Sequence, residues 1–182
     1  MDYKFYDTSS LLLRAEDLFT KEDDKDFGIS TVTLEELENI KVSANKSPEV
    51  KCAARHLLNL LDSHRDLYTT IIYKESMAQE IKEMNLELTN DTKIISCALY
   101  FDKIYHPDET IFVTNDIAQK ALASLFFGED CLCISSRDTS STQSSGASFS
   151  TKGAILLMVH NCQKERLSSL AIPSPVATVM KA

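Results

Sequence analysis

No apolar run in this 182-residue chain approaches the ~20 residues needed to cross a bilayer. The longest, GAILLMV at 153–159, has the length of a strand. The opening residues, MDYKFYDTSS, lack the basic start and apolar stretch of an export signal. A soluble, intracellular, cytoplasmic protein without a membrane partner is therefore expected. Paired-cysteine spacing is also missing. The five cysteines are odd in number and scattered, which in such a setting predicts free thiols. Cys131 and Cys133 with His160 and Cys162 make a poor zinc set without a C-x-x-C pair, and core positions suit them better. Positive charge is short: 19 Lys and Arg against 27 Asp and Glu give a net charge of −8. That argues against a nonspecific polyanion binder acting through its overall field, but does not exclude a nucleic-acid enzyme whose acids gather at a metal. The G-x-S-x-G elbow of acyl-transfer enzymes is absent. So is a P-loop: the nearest stretch, GASFSTKG at 146–153, lacks the second glycine before Lys152.

What is present is an alternation. A hydrophobic share of 43% and a charged share of 25% are ordinary for a folded domain. Residues 3–6 read as a strand and 9–19 as a helix with Leu12, Leu13, Glu16 and Phe19 in register. Residues 27–33 read as a strand, 34–42 as a helix. Pro48 opens a helix whose apolar residues fall at 50, 53, 54, 57, 58 and 61. Residues 67–73 are β-rich, 75–84 helical, and 90–104 helical with Ile94, Cys97, Ala98, Phe101 and Ile104 on one face. A strand at 111–113 precedes a helix with Ile117, Ala118, Ala121, Leu122 and Leu125, and CLCIS at 131–135 reads as a last strand. Such alternation with few hairpin signals predicts an α/β fold, an α/β/α sandwich around a twisted, mostly parallel sheet. The domain is expected over 1–136. Residues 137–152, rich in Ser and Thr, read as a linker, and 153–182 as a short, partly disordered extension.

Acids stand where strands meet helices. Asp7 follows strand 3–6 and Asp116 follows strand 111–113; Asp91 opens the helix at 90, and Glu36 lies about a turn inside its helix. In parallel sheets ligands bind at the carboxyl ends of the strands, so these four carboxylates are expected at one edge. Crowded carboxylates repel unless a cation sits among them, and Mg2+ or Mn2+ is the hard, oxygen-seeking choice. Thr8, Ser9, Thr114 and Asn115 are short polar groups able to orient the acids or a bound water. The structural alternative stays open. Asp is a good helix N-cap, worth about 1 kcal/mol over Ala, and Glu36, beside Glu35 and Glu38, would suit a solvated face.

These segments resemble the PIN domain family. FYDTSSLL is similar to its opening motif, ISTVTLEELENIK to its second, with the acid at Glu36 and Glu35 beside it. TNDTKIISCALYF resembles the third, with Ile94 and Ala98 in register, and IFVTNDIAQKALA the fourth. The resemblance spans about residues 3–136 and implies a metal-dependent endoribonuclease fold. By it, Asp7, Glu36 and Asp91 are metal ligands for Mg2+ or Mn2+, and Asp116 is a ligand or an adjacent acid. Thr8 or Thr114 then positions water or a neighbouring carboxylate, and the substrate is RNA, single-stranded or structured. The wording is most like PIN domains ahead of PhoH-type ATPase domains, so the chain either stands alone or works with an ATPase part not present in it. Many members carry Leu-Arg after the fourth motif where this chain has Gln119-Lys120.

Arg14, Lys41, Lys93 and Lys120 are the cations nearest the motifs and the expected phosphate contacts. An inactive interaction module, or one silenced by an inhibitory protein partner, is the competing reading, and a homodimer stays open. A phosphotransfer site with Asp7 as nucleophile is disfavoured, since Ser9 stands where D-x-D needs its second Asp.

Overall fold

The computed structural model describes residues 3–19, 26–105 and 110–134. The proposed linker and C-terminal extension lie outside them, as do His160 and Cys162. The elements are β1 (Tyr3–Tyr6), α1 (Thr8–Leu18), β2 (Phe27–Ser30), α2 (Thr31–Val42), α3 (Pro48–Ser63) and β3 (Tyr68–Ile71). A 3-10 turn (Glu75–Ala78) and α4 (Gln79–Glu83) follow, then α5 (Asn90–Ile104), β4 (Thr110–Thr114), α6 (Ile117–Phe127) and β5 (Cys131–Cys133). The five strands form one sheet in the order β3-β2-β1-β4-β5, and every neighbouring pair is parallel. The expected α/β class is what forms.

Successive strand residues point to opposite faces, and Phe5 and Tyr6, both fully buried, anchor two separate cores. Tyr6 packs with Leu11 of α1, Leu37 of α2 and Leu57 of α3. Phe5 packs with Phe101 and Ile94 of α5, Ile81 of α4 and Ala123 of α6. The sheet thus has helices on both faces. No helix among the described residues is long and apolar enough to cross a membrane.

The strand order decides where a site can form. From β1 the chain steps outward through β2 to β3, then returns to the other side of β1 with β4 and β5. The reversal lies between β1 and β4, and their carboxyl ends leave the crevice where parallel sheets bind ligands. Asp7 follows β1 there, its N–H bonded to Val113 O of β4 at 3.1 Å. The Ser10 hydroxyl donates to Val113 O at 2.8 Å as well, so the start of α1 is fastened to β4.

Several sequence-based boundaries shift. β2 ends at Ser30 and not at residue 33, because the Ser30 hydroxyl accepts from Thr33 N and starts α2 at Thr31. Residues 75–84 hold a 3-10 turn and a five-residue helix in place of one regular helix. The largest departure is in α6. Its buried residues are Gln119 and Ala123, with Leu122 and Phe126 packed alongside, whereas Ile117 is 80% and Leu125 56% exposed. Cys97, Cys131 and Cys133 carry free thiols as expected; Cys52 does not, being disulfide-bonded.

Gly28 of β2 is required by a close approach. A Cβ there would lie 2.5 Å from Phe5 Cδ2 and 3.1 Å from the Phe101 ring. Both rings are fully buried and have nowhere to swing. Gly28→Ala is therefore expected to cost about 1–3 kcal/mol through overpacking, read as a lower midpoint in denaturant with an unchanged slope.

Candidate active site

Asp7 is only 1% exposed and is held from three sides. It caps α1, its Oδ1 accepting from Ser10 N at 2.7 Å. Its Oδ2 accepts from the Ser9 hydroxyl at 2.8 Å and from the Thr114 hydroxyl at 2.7 Å. Those two donors occupy both lone pairs of Oδ2, while Oδ1 keeps one. Burial pushes the Asp7 pKa up, opposed by the hydrogen bonds from Ser10, Thr114 and Ser9. Burial wins, so Asp7 holds a proton more tightly than a free carboxyl does.

Thr114, at the end of β4, joins two acids. Its hydroxyl donates to Asp7 and accepts from Asp116 N at 2.9 Å. Asp116 caps α6 through one oxygen alone, Oδ1 receiving Ala118 N at 2.7 Å and Gln119 N at 3.3 Å. Its Oδ2 takes no part in the cap. On the other flank Glu36 is straddled: the Thr8 hydroxyl donates to Oε2 at 2.5 Å and the Asn90 amide to Oε1 at 3.0 Å. Thr8 and Thr114 thus both serve neighbouring carboxylates.

Asp91 differs from the other three acids. The N-cap of α5 is Thr89, in a reciprocal box with Thr92, so Asp91 is not the cap that its position suggests. It sits in the first turn, where a negative charge is favoured, yet its pKa is raised. Desolvation is the main cause, followed by the charges of Glu36, Asp116 and Asp7. The charges of three other acids, from three separated segments, thus reach Asp91.

The donor set suits a hard divalent cation: carboxylate oxygens, with short hydroxyl and amide groups holding them. The set is open. Among the described residues no group of three or more His, Cys, Asp and Glu is arranged to hold an ion as it stands.

Of the expected phosphate contacts, Lys93 and Lys120 lie in the first turns of α5 and α6, one turn beyond Asn90 and Asp116. Lys93 rests over the Tyr73 ring, 5.7 Å from its centroid. Lys41 is paired with Glu38 and lines a groove of about 690 Å³ beside α3 that none of the four acids reaches. The sequence reading passed over three residues that the geometry brings in: Ser10, Asn90 and Gln119. The first two had a signal, a third-position hydroxyl after Asp7 and an amide beside Asp91. Gln119 had only its breach of the helix's apolar stripe.

A PIN domain family model matches residues 5–126, a span that holds the whole crevice and all four acids. No curated protein sequence matches the chain. PIN domains are generally metal-dependent nucleases, and with more than half of its length matched the chain belongs to the PIN domain family.

Proposed function

We propose that this chain is an endoribonuclease that hydrolyses RNA phosphodiesters with Mg2+ or Mn2+. The observation that carries the proposal is Asp91: it caps nothing, and three other carboxylates bear on it. A helix cap or a solvated face has no need of that arrangement, and a divalent cation would relieve it. Asp7, Glu36, Asp91 and Asp116 are the proposed ligand set, and the bound ion would supply Lewis acidity toward a phosphate oxygen and a water of lowered pKa. The chain's own residues do the rest. Thr8 and Asn90 keep Glu36 from turning away; Ser9, Ser10 and Thr114 fix the Asp7 carboxylate and oppose the upward push of its burial. Lys93 and Lys120 are the cations assigned to phosphates on either side of the scissile bond. With this charge the substrate must be guided locally, since the net charge of −8 repels RNA at long range.

The wording of VTLEELENIK and VTNDIAQKALA supports kinship with PIN domains that precede PhoH-type ATPase domains, and an ATPase partner belongs to the same proposal. The test is cleavage of a labelled single-stranded RNA pool by the full chain with Mn2+, Mg2+ or EDTA. Internal cuts that require the metal are expected. Intact RNA in every condition, with manganese still bound, would replace the nuclease by a module silenced by a protein partner.

A further inference from the structure

Gln119 is 4% exposed, and its Nε2 has no hydrogen-bond partner. Buried amides are ordinarily paired, because an unmatched one forfeits its hydration. The residue lies at the acids: its Oε1 is 3.4 Å from Thr114 Oγ1, and its own N–H is capped by Asp116.

The hydrogen count at Thr114 shows what this amide does. The hydroxyl has one hydrogen and two lone pairs. Asp7 Oδ2, at 2.7 Å, is the near acceptor for that hydrogen, and Asp116 N–H takes one lone pair. Gln119 Oε1 can take the hydrogen only by taking it from Asp7. Turning the amide over puts Nε2 at Thr114 and fills the last lone pair, and amide ends are assigned from such networks. In that orientation Gln119 no longer competes for the Thr114 hydrogen, and the other acceptor within reach, Asp116 O at 3.5 Å, lies well beyond Asp7 Oδ2 at 2.7 Å.

We infer that Gln119 is a positioning residue: acting through Thr114, its buried amide commits the Thr114 hydrogen to Asp7 and fixes that carboxylate for its ligand. The inference rests on the proposed nuclease reading and deepens it. It also accounts for a polar residue on the buried stripe of α6, where an apolar side chain would pack without loss.

The test compares the full chain with Gln119→Met, Thr114→Val and the double variant. Gln119→Met keeps the volume and removes the amide. It is expected to lower kcat and Mn2+ affinity about tenfold, the lower end of what outer partners of metal ligands cost, with KM for RNA unchanged. Its melting temperature should stay close to that of the wild type, since the bond lost to Thr114 is offset by removing the buried amide end that has no partner. In the Thr114→Val background the same change should cost nothing more. In the metal-free protein, exchange of the Asp116 amide hydrogen should be faster in Gln119→Met. Unchanged kcat and Mn2+ affinity, full additivity with Thr114→Val, or unchanged Asp116 exchange would each overturn the inference. If no chain cleaves RNA, the nuclease reading fails by itself. Manganese affinity and amide exchange then still decide the role of Gln119.

Discussion

An Asp91→Asn variant is expected to lose RNA cleavage and manganese binding by about a hundredfold or more, yet to melt no lower than the wild type. The loss follows from its proposed role, since even the hydrogen-bond partners of ligands cost 10–100-fold. The retained stability follows from what Asp91 does not do. Thr89 supplies the cap and its box with Thr92 closes the start of α5. Removing the charge forfeits a favourable interaction with the helix N-terminus, worth about 0.3–1 kcal/mol on a surface, but relieves repulsion from Glu36, Asp116 and Asp7. The two effects are of similar size, and solvent screens both at a half-open site. Acidification adds a check with a definite sign. Asp91 and Asp7 both hold their protons more tightly folded than unfolded. The stability they contribute is complete below the ordinary carboxylate pKa and is lost as pH rises through the folded values. On mild acidification Asp91→Asn should therefore gain less melting temperature than the metal-free wild type, in which Glu49 and Glu75, with lowered pKa values, act in the opposite sense.

Asp7→Ala is expected to do the opposite, losing fold and activity together. Truncation leaves Ser10 N without its cap acceptor and strips Ser9 and Thr114 of theirs. Loss of an N-cap costs ~1 kcal/mol, and each buried group left unmatched adds about 1–3 kcal/mol. A total of about 2–4 kcal/mol allows for the hydroxyls turning to other acceptors, and corresponds to a fall of roughly 10 °C at this chain length. Asp7→Asn separates the two roles. Its carbonyl oxygen can still cap Ser10, and the charge whose burial raised the pKa is gone. Melting should stay within about 5 °C of wild type, while cleavage falls as far as in the alanine variant. Equal activity of Asn and Asp at this position would reduce Asp7 to a cap.

The sheet and its edge were legible because each strand is bracketed by a polar seam. Asp7 and Asp116 mark ends of β1 and β4, and both prove to be N-caps as well. For these two the structural role and the proposed functional one coincide. Asp91 was misread locally: Thr89, two residues before it, carries a hydroxyl that makes an equally good cap, and only the packed helix shows which one is used. The stripe of α6 was misread for a related reason. Gln119 opens the buried face, so a hydrophobic pattern skips it and starts instead at the exposed Ile117. Periodicity finds the apolar face of a helix; it misses a face whose first residue is polar. Contacts such as Asn90 to Glu36, 54 positions apart, have no local signal at all.

The central claim, that the four acids form a divalent cation site, is tested most directly by manganese binding to the full chain. Free Mn2+ is followed by its paramagnetic resonance signal during titration of the wild type and of Asp91→Asn, without RNA. Saturable binding by the wild type, weakened about a hundredfold in the variant, is the predicted result. Equal binding by both chains, or none by either, would contradict the account and return Asp7 and Asp116 to helix capping alone.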